Sequence, residues 1–282
     1  MNFKIKVMRT PFIQIIILIS LLVYISSCSI SSTTKTEEQL EHEMALKYKI
    51  KSISEYQIDS QFGLKKKELN YFRLFDEKGL KQKEIAYFEG SIENIITFEY
   101  DINSNLLNSN AIKTDSSFLF KIARNYYENN LRKELYFYLP NGTYKYRNFA
   151  TYDNSGKMIE LKYYWPDGLK AINNYVYEGD KKTEDTETAP DGKFRYKWIY
   201  KYDKNGNLVE AVQYYPNNII NAKITYEYNS DNLLTKQINY SGESISIIYS
   251  FTYNDKKLLS SKTETTSSGM IAAKFGYEYE FY

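Results

Sequence analysis

The chain has 282 residues, 43% hydrophobic and 26% charged, with a formal net charge of +2, one Cys, one His and 30 Tyr. One cysteine excludes a disulfide framework and a thiolate metal cluster; one histidine excludes paired-histidine zinc sites and argues against histidine-dependent hydrolysis. The excess of Tyr, with 15 Phe but only 12 Gly and 5 Pro, favours strands joined by a few well-defined turns.

The first element in chain order is a processing segment. Lys4, Lys6 and Arg9 precede an apolar run from Pro11 to Ile25, shorter than the roughly 20 residues of a membrane-spanning helix. Ile25-Ser26-Ser27 then leads directly into Cys28, the lone cysteine. These residues resemble the lipobox of bacterial lipoprotein signal peptides. The resemblance implies cleavage before Cys28, acylation of Cys28 as the new N-terminus, and a lipid anchor in the bilayer of the cell envelope. Ser29 is not an acidic retention residue, so the outer membrane is the expected address. Processing would leave 34 Lys and Arg against 35 Asp and Glu, since the three charged residues lost are all basic. No concentrated basic face remains for nucleic acid, and Lys65-Lys66-Lys67 reads as a solvated strand end.

Ser29 to Lys35 is a short polar tether. Thr36-Glu37-Glu38-Gln39 fits a capping box, which predicts a helix over about residues 37–47 with Leu40, Met44 and Leu46 as its apolar stripe. His42, between Glu41 and Glu43, reads as an exposed helix residue. The expected organisation is therefore a signal peptide at 1–27, an acylated cysteine and tether at 28–36, a helix at 37–47 and one β domain at 48–282.

The rest of the chain is periodic. Phe75, Tyr100, Tyr127, Tyr152, Tyr177, Tyr202, Tyr228 and Tyr253 each open a turn-like cluster, at intervals of about 25 residues. Tyr202-Asp203-Lys204-Asn205-Gly206-Asn207-Leu208 is the clearest copy. A second turn runs in phase between them at Pro140-Asn141-Gly142, Pro166-Asp167-Gly168, Pro190-Asp191-Gly192 and Pro216-Asn217-Asn218. Proline presets φ, Asp or Asn closes a side-chain turn, and Gly accepts positive φ. Segments such as Lys197 to Tyr202 alternate large and polar residues as strands do. Each unit thus predicts strand, turn, strand, turn. Short connections make neighbours antiparallel, and residues 47–74 add a divergent opening hairpin. The expected fold is all-β: an elongated, twisted antiparallel meander of about 18 strands. As an open sheet at about 4.8 Å per strand it would be roughly 80 Å long.

The Tyr-Asp-x-x-Gly-x-Leu pattern, carried by Tyr202, Asp203, Gly206 and Leu208 and nearly by Tyr152, Asp153, Gly156 and Met158, resembles YD (RHS-type) repeats. Tyr126 to Gly142 is similar to MORN-variant repeats of antitoxin-like proteins. The RHS resemblance implies a repeat architecture. Its shell-around-cargo role is not expected here, because the repeats look too few to enclose anything.

Asp153, Gly156, Asp203 and Gly206 are assigned to turn formation. A calcium ladder of the repeat aspartates is disfavoured, since whole hairpins separate them. The tyrosines read chiefly as cross-strand ladders, with a stacking surface for glycans as the alternative. The final strand, Phe275 to Tyr282, is left as an edge able to accept a partner strand. No catalytic, cofactor-binding or metal-ligating residue is nominated. Function therefore reads as an envelope-anchored scaffold for a protein or glycan, with no enzymatic activity. The alternatives are a polymer hydrolase using a carboxylate pair, for which Asp115 marks the one visible break in the repeat, and an antitoxin-like protein. In the native host, a palmitate analogue should label the wild-type chain, and Cys28→Ala should abolish the label. An unlabelled wild type would end the anchoring assignment.

Overall fold

The computed structural model describes residues 37–59 and 66–282. The signal peptide, Cys28, the tether, the Thr36 cap and Lys65 lie outside the described residues. A helix, α1 (Glu37–Tyr48), precedes eighteen strands. They are β1 (Ile50–Asp59), β2 (Lys66–Phe75), β3 (Lys81–Phe88), β4 (Ser91–Tyr100), β5 (Leu106–Ile112) and β6 (Phe118–Tyr126). Next come β7 (Arg132–Tyr138), β8 (Tyr144–Tyr152), β9 (Met158–Trp165), β10 (Gly168–Glu178), β11 (Lys181–Thr188) and β12 (Phe194–Tyr202). The last six are β13 (Leu208–Tyr215), β14 (Ile219–Tyr228), β15 (Leu234–Ser241), β16 (Ser244–Tyr253), β17 (Leu259–Thr266) and β18 (Ile271–Phe281).

Every strand pairs antiparallel with its sequence neighbours, as the short connections require. The ends also meet. β18 pairs with β1 from Ile50 opposite Phe281 to Gln57 opposite Phe275. The expected open meander is thus overturned: the sheet closes into an 18-stranded barrel, and β18 is not a free edge. The repeats are also numerous enough to enclose a lumen. At about 4.8 Å per strand and a tilt of about 40°, a circular ring of this many strands is roughly 35 Å across its backbone.

Bulges supply a reason for the closure. The ladders slip by a residue beside the repeat tyrosines, as between Glu99 and Tyr100, Thr151 and Tyr152, and Lys201 and Tyr202. A bulge bends and further twists its strand, and every ladder of the ring carries a register shift, so the sheet curves steadily.

The tyrosines hold the free ends of the hairpins. Where the β5–β6 ladder ends at Asn108 opposite Ala123, the Tyr126 hydroxyl reaches across and donates to the Leu106 carbonyl at 2.9 Å. The same bond joins Tyr100 to Lys81, Tyr152 to Arg132, Tyr177 to Met158, Tyr202 to Lys182, Tyr228 to Leu208, Tyr253 to Leu234 and Tyr279 to Leu259. Each hydroxyl satisfies a carbonyl that the splaying strands leave unpaired. The repeating tyrosine of the third copy is therefore Tyr126, not Tyr127, and Tyr279 supplies a further copy.

In the adjoining turns, the Asp carboxylate replaces missing backbone partners. Asp203 Oδ1 accepts from the N–H groups of Asn205 and Asn207 at 2.8 and 2.9 Å, and Asp153 Oδ1 does so from Ser155 and Lys157. Asn229 and Asn254 do likewise. The Lys157 N–H and the Ser155 hydroxyl hold the Asp153 carboxyl below its ordinary value. The residue three after the first turn residue has positive φ in these copies: Gly156 at 84° and Gly206 at 89° after Asp, Asn130 at 63° after Tyr127 and Asn232 at 60° after Asn229. Asn232 thus fills the glycine slot of its copy. The irregular stretch Asn108–Phe120 also forms an ordinary hairpin. Lys113 N–H donates to the Ser117 carbonyl at 2.9 Å, and Asp115 Oδ1 accepts from Ser117 N–H at 2.8 Å. Gly206→Val should cost about 1–3 kcal/mol in urea denaturation, as a β-branched residue forced to positive φ. Gly206→Asn should cost much less, since asparagine already occupies this slot in two copies.

Candidate functional site

Alternation along the strands sorts side chains to two unlike faces. On β18, Phe275 and Tyr277 are buried while Lys274, Glu278 and Glu280 are exposed. The outer face is laced with ion pairs, as where Glu210 takes Lys201 at 2.7 Å and Lys223 at 3.1 Å, and Glu160 takes Lys162 at 2.8 Å. The inner face carries Tyr, Phe, Leu and Ala. A transmembrane barrel needs the opposite arrangement, an outward apolar band about 25 Å tall, and outward charges at its midplane cost about 2–4 kcal/mol each. Among the described residues, no helix is long and apolar enough to cross a membrane.

The lumen is divided. Helix α1 occupies the end bounded by the Tyr-Asp turns, with Glu41 and Ala45 buried and Leu46 exposed, so its buried stripe is not the expected one. Ala45 joins a core cluster with Ile50, Ile53, Leu234, Phe251 and Phe275. His42 is not free in solvent: its Nε2 donates to the Lys78 carbonyl at 2.9 Å. Gly79, at φ 75°, lies so close to α1 that a Cβ there would stand 2.6 Å from Leu46 N.

Below the helix lies a buried ion network. Lys81 Nζ meets Glu41 Oε2 at 2.7 Å and Glu84 Oε2 at 3.6 Å, while Arg73 Nε donates to Glu84 Oε2 at 2.9 Å. None of the four is more than 7% exposed. Burial alone would raise the Glu84 carboxyl, but Lys81 and Arg73 outweigh it and hold the group below its ordinary value. Likewise burial would lower Lys81, but Glu41 and Glu84 hold it above its ordinary value.

Beside this network, a cavity of about 230 Å³ lies between α1 and the arc from β2 to β9. Lys81, Arg124 and Arg132 face Glu38 and Glu41 across it. Arg124 Nη2 donates to Glu38 Oε1 at 3.2 Å and Nη1 to Ser109 Oγ at 3.1 Å. Arg132 Nε is buried without a hydrogen-bond partner.

Away from the helix, the inner wall is aromatic. Phe120, Phe137 and Tyr146 stack in a row with successive centroids 5.3 Å apart, and Trp198 stacks on Tyr200 at 6.4 Å. Burial raises the Asp185 carboxyl and lowers the Lys182 ammonium on this wall.

Of the residues singled out from sequence, Asp153, Asp203 and Gly206 stay in the rim turns, and Gly156 also lines the cavity. Cys28 lies outside the described residues. Among the described residues, no group of three His, Cys, Asp or Glu is placed to hold a metal ion. Sequence reasoning missed the lumenal polar residues Glu41, Arg73, Arg132, Asn148 and Asn173. A signal for the two asparagines was present, since strand alternation puts Asn148 between Tyr146 and Ala150 and Asn173 between Ala171 and Tyr175.

Arg73→Met should cost about 3–5 kcal/mol in urea denaturation at neutral pH, because it strands buried Glu84. The Glu84 share, with its folded carboxyl depressed, is present above about pH 4.5 and should vanish as pH falls below that.

No family model matches the chain, and no curated protein matches it in sequence. Similar solved structures include a porin-like protein from Bacteroides uniformis, at 11% identity and TM-score 0.47, covering 83% of this chain and 97% of that one. A porin-like protein from Bacteroides vulgatus shows 13% identity and TM-score 0.40, covering 66% and 94%. The TcdB2–TccC3–Cdc42 structure shows 12% identity and TM-score 0.41, covering 77% of this chain but 14% of that one. At these scores they record resemblance of shape, and the functional reading rests on the chain's own residues.

Proposed function

We propose that the chain is a lipid-anchored envelope protein whose barrel stands in water and holds a ligand inside its lumen, without catalysing a reaction. The observation that carries this reading is the polarity of the wall. Ion pairs lie along the outside, with Tyr136, Tyr138 and Tyr144 clustered among them, while further aromatic side chains and most of the buried polar groups line the inside. The lipobox around Cys28 supports the anchor and the envelope address.

A second reading rests on Asp185. Burial lifts its carboxyl above the ordinary value, and Glu187 follows two residues later on the same face of β11. A raised carboxyl near a second carboxyl is the pairing used in glycoside hydrolysis. Release of reducing ends from an envelope polysaccharide, lost in Asp185→Asn, would replace binding by hydrolysis.

Replacing residues 1–28 by an ordinary cleavable secretory signal separates anchoring from spanning. The lipid-free protein should leave membranes in a carbonate wash, whereas the wild type should remain. Retention of the lipid-free form would place the barrel in the bilayer and overturn the reading.

A further inference from the structure

We infer that the lumenal face of β8 to β12 is a binding site for a neutral carbohydrate chain. The inference rests on the lumenal reading above and names its ligand class.

Two asparagines carry it. Asn148 on β8 and Asn173 on β10 are each only 6% exposed. Each has a buried side-chain oxygen without a hydrogen-bond partner. Asn173 Nδ2 donates to Asp185 Oδ1 at 3.0 Å, so its amide is anchored and its oxygen is the free end. A buried acceptor left without a donor keeps its desolvation cost, which a donor from a bound ligand would relieve. Register sets them on either side of β9: Asn148 lies opposite Tyr163, and Asn173 lies opposite Leu161. Two unpartnered hydrogen-bond acceptors thus lie on the two strands that flank β9 and its Tyr163.

The surroundings select among ligands. Asn173 also lies opposite Glu187, and Asp185 lies between Tyr175 and Trp198 across the ladders. Alanines at 150 and 171 are the inward-facing residues beside the asparagines. The face is therefore rich in acceptors and set among aromatic rings. An anionic ligand would meet the carboxylates. A cationic one would compete with Lys182, whose Nζ already lies 3.9 Å from Asp185 Oδ2. A pyranose suits both features: its hydroxyls donate to the amide and carboxylate oxygens, and its C–H faces pack on Trp198 and the tyrosines. With α1 in the Tyr-Asp end, the approach runs past the Pro140, Pro166 and Pro190 turns at the other mouth.

The test uses the full chain, purified in detergent, titrated with neutral hexasaccharides of glucose, N-acetylglucosamine, xylose and mannose. Tryptophan fluorescence and calorimetry read the binding. At least one hexasaccharide should bind, and Asn148→Leu, Asn173→Leu and Trp198→Leu should each weaken it tenfold or more. Lys162→Gln on the outer face should leave it unchanged. Thermal melts separate binding from folding. Because the two oxygens lack partners in the free protein, Asn148→Leu should keep or raise the melting temperature while binding falls. A melting temperature lowered together with binding would assign Asn148 a structural role and overturn the inference. So would binding that ignores all three lumenal variants, or no binding of any hexasaccharide at millimolar concentration. In that last case, anilinonaphthalene sulfonate and spermidine distinguish the two levels. If either binds in a manner sensitive to Trp198→Leu, the lumenal reading stands and only the carbohydrate falls. If neither does, both fall.

Discussion

Seven residue pairs join β18 to β1 across the seam, and the existence of an inside depends on that junction. An open sheet would leave the row of Tyr, Phe and Leu side chains facing solvent on one face and two unpaired backbone edges at its ends. Joining the ends removes both costs at once. The seam also carries a core: Ile50 and Ile53 from β1 and Phe275 and Tyr277 from β18 belong to one buried cluster with Phe75, Phe251 and Leu258. Helix α1 follows from the seam too, because it enters β1 with one residue between and so comes to rest inside the ring.

Closure gives the two faces of each strand opposite chemistry. Outside, lysine and glutamate lie beside one another at cross-strand spacing, each pair contributing little to stability. Inside, tyrosine solves two problems with one side chain. Its ring fills space between strands, and its hydroxyl satisfies a rim carbonyl where the ladder has run out, as at Tyr126 and Leu106. Phenylalanine would meet only the first need, which accounts for a composition so weighted to Tyr. At the one copy where Phe75 stands instead, Tyr282 from the end of the chain donates to the Phe75 carbonyl.

The lumen is not uniform along its length. Near α1, four buried charges and the Arg124–Glu38 pair tie the helix to β2, β3 and β6, an arrangement whose desolvation cost makes it a poor source of stability but a specific fastener. Toward the other mouth the charges thin out and aromatic rings take over. One end is therefore closed by the chain itself, and the other presents stacked rings and unpartnered amide oxygens.

The strands, their number, their antiparallel order and both sets of turns were legible in the sequence, because each rests on local chemistry. Asp203 bonds its own next residues, Gly206 answers to its own φ, and alternation along Lys197–Tyr202 needs no distant partner. The short helix was legible for the same reason. What only the tertiary structure decided is which pieces meet across long separations. Ile50 and Phe281 stand 231 positions apart, and no local pattern in either strand names the other. The bulges that curve the sheet depend on which residue faces which across a ladder, so a register error of one residue at Tyr127 hid them. The face that became the interior, and with it the meaning of Glu41, Arg73, Asn148 and Asn173, was set only when the ring closed. The same alternating strand has no inside until another strand stands opposite it.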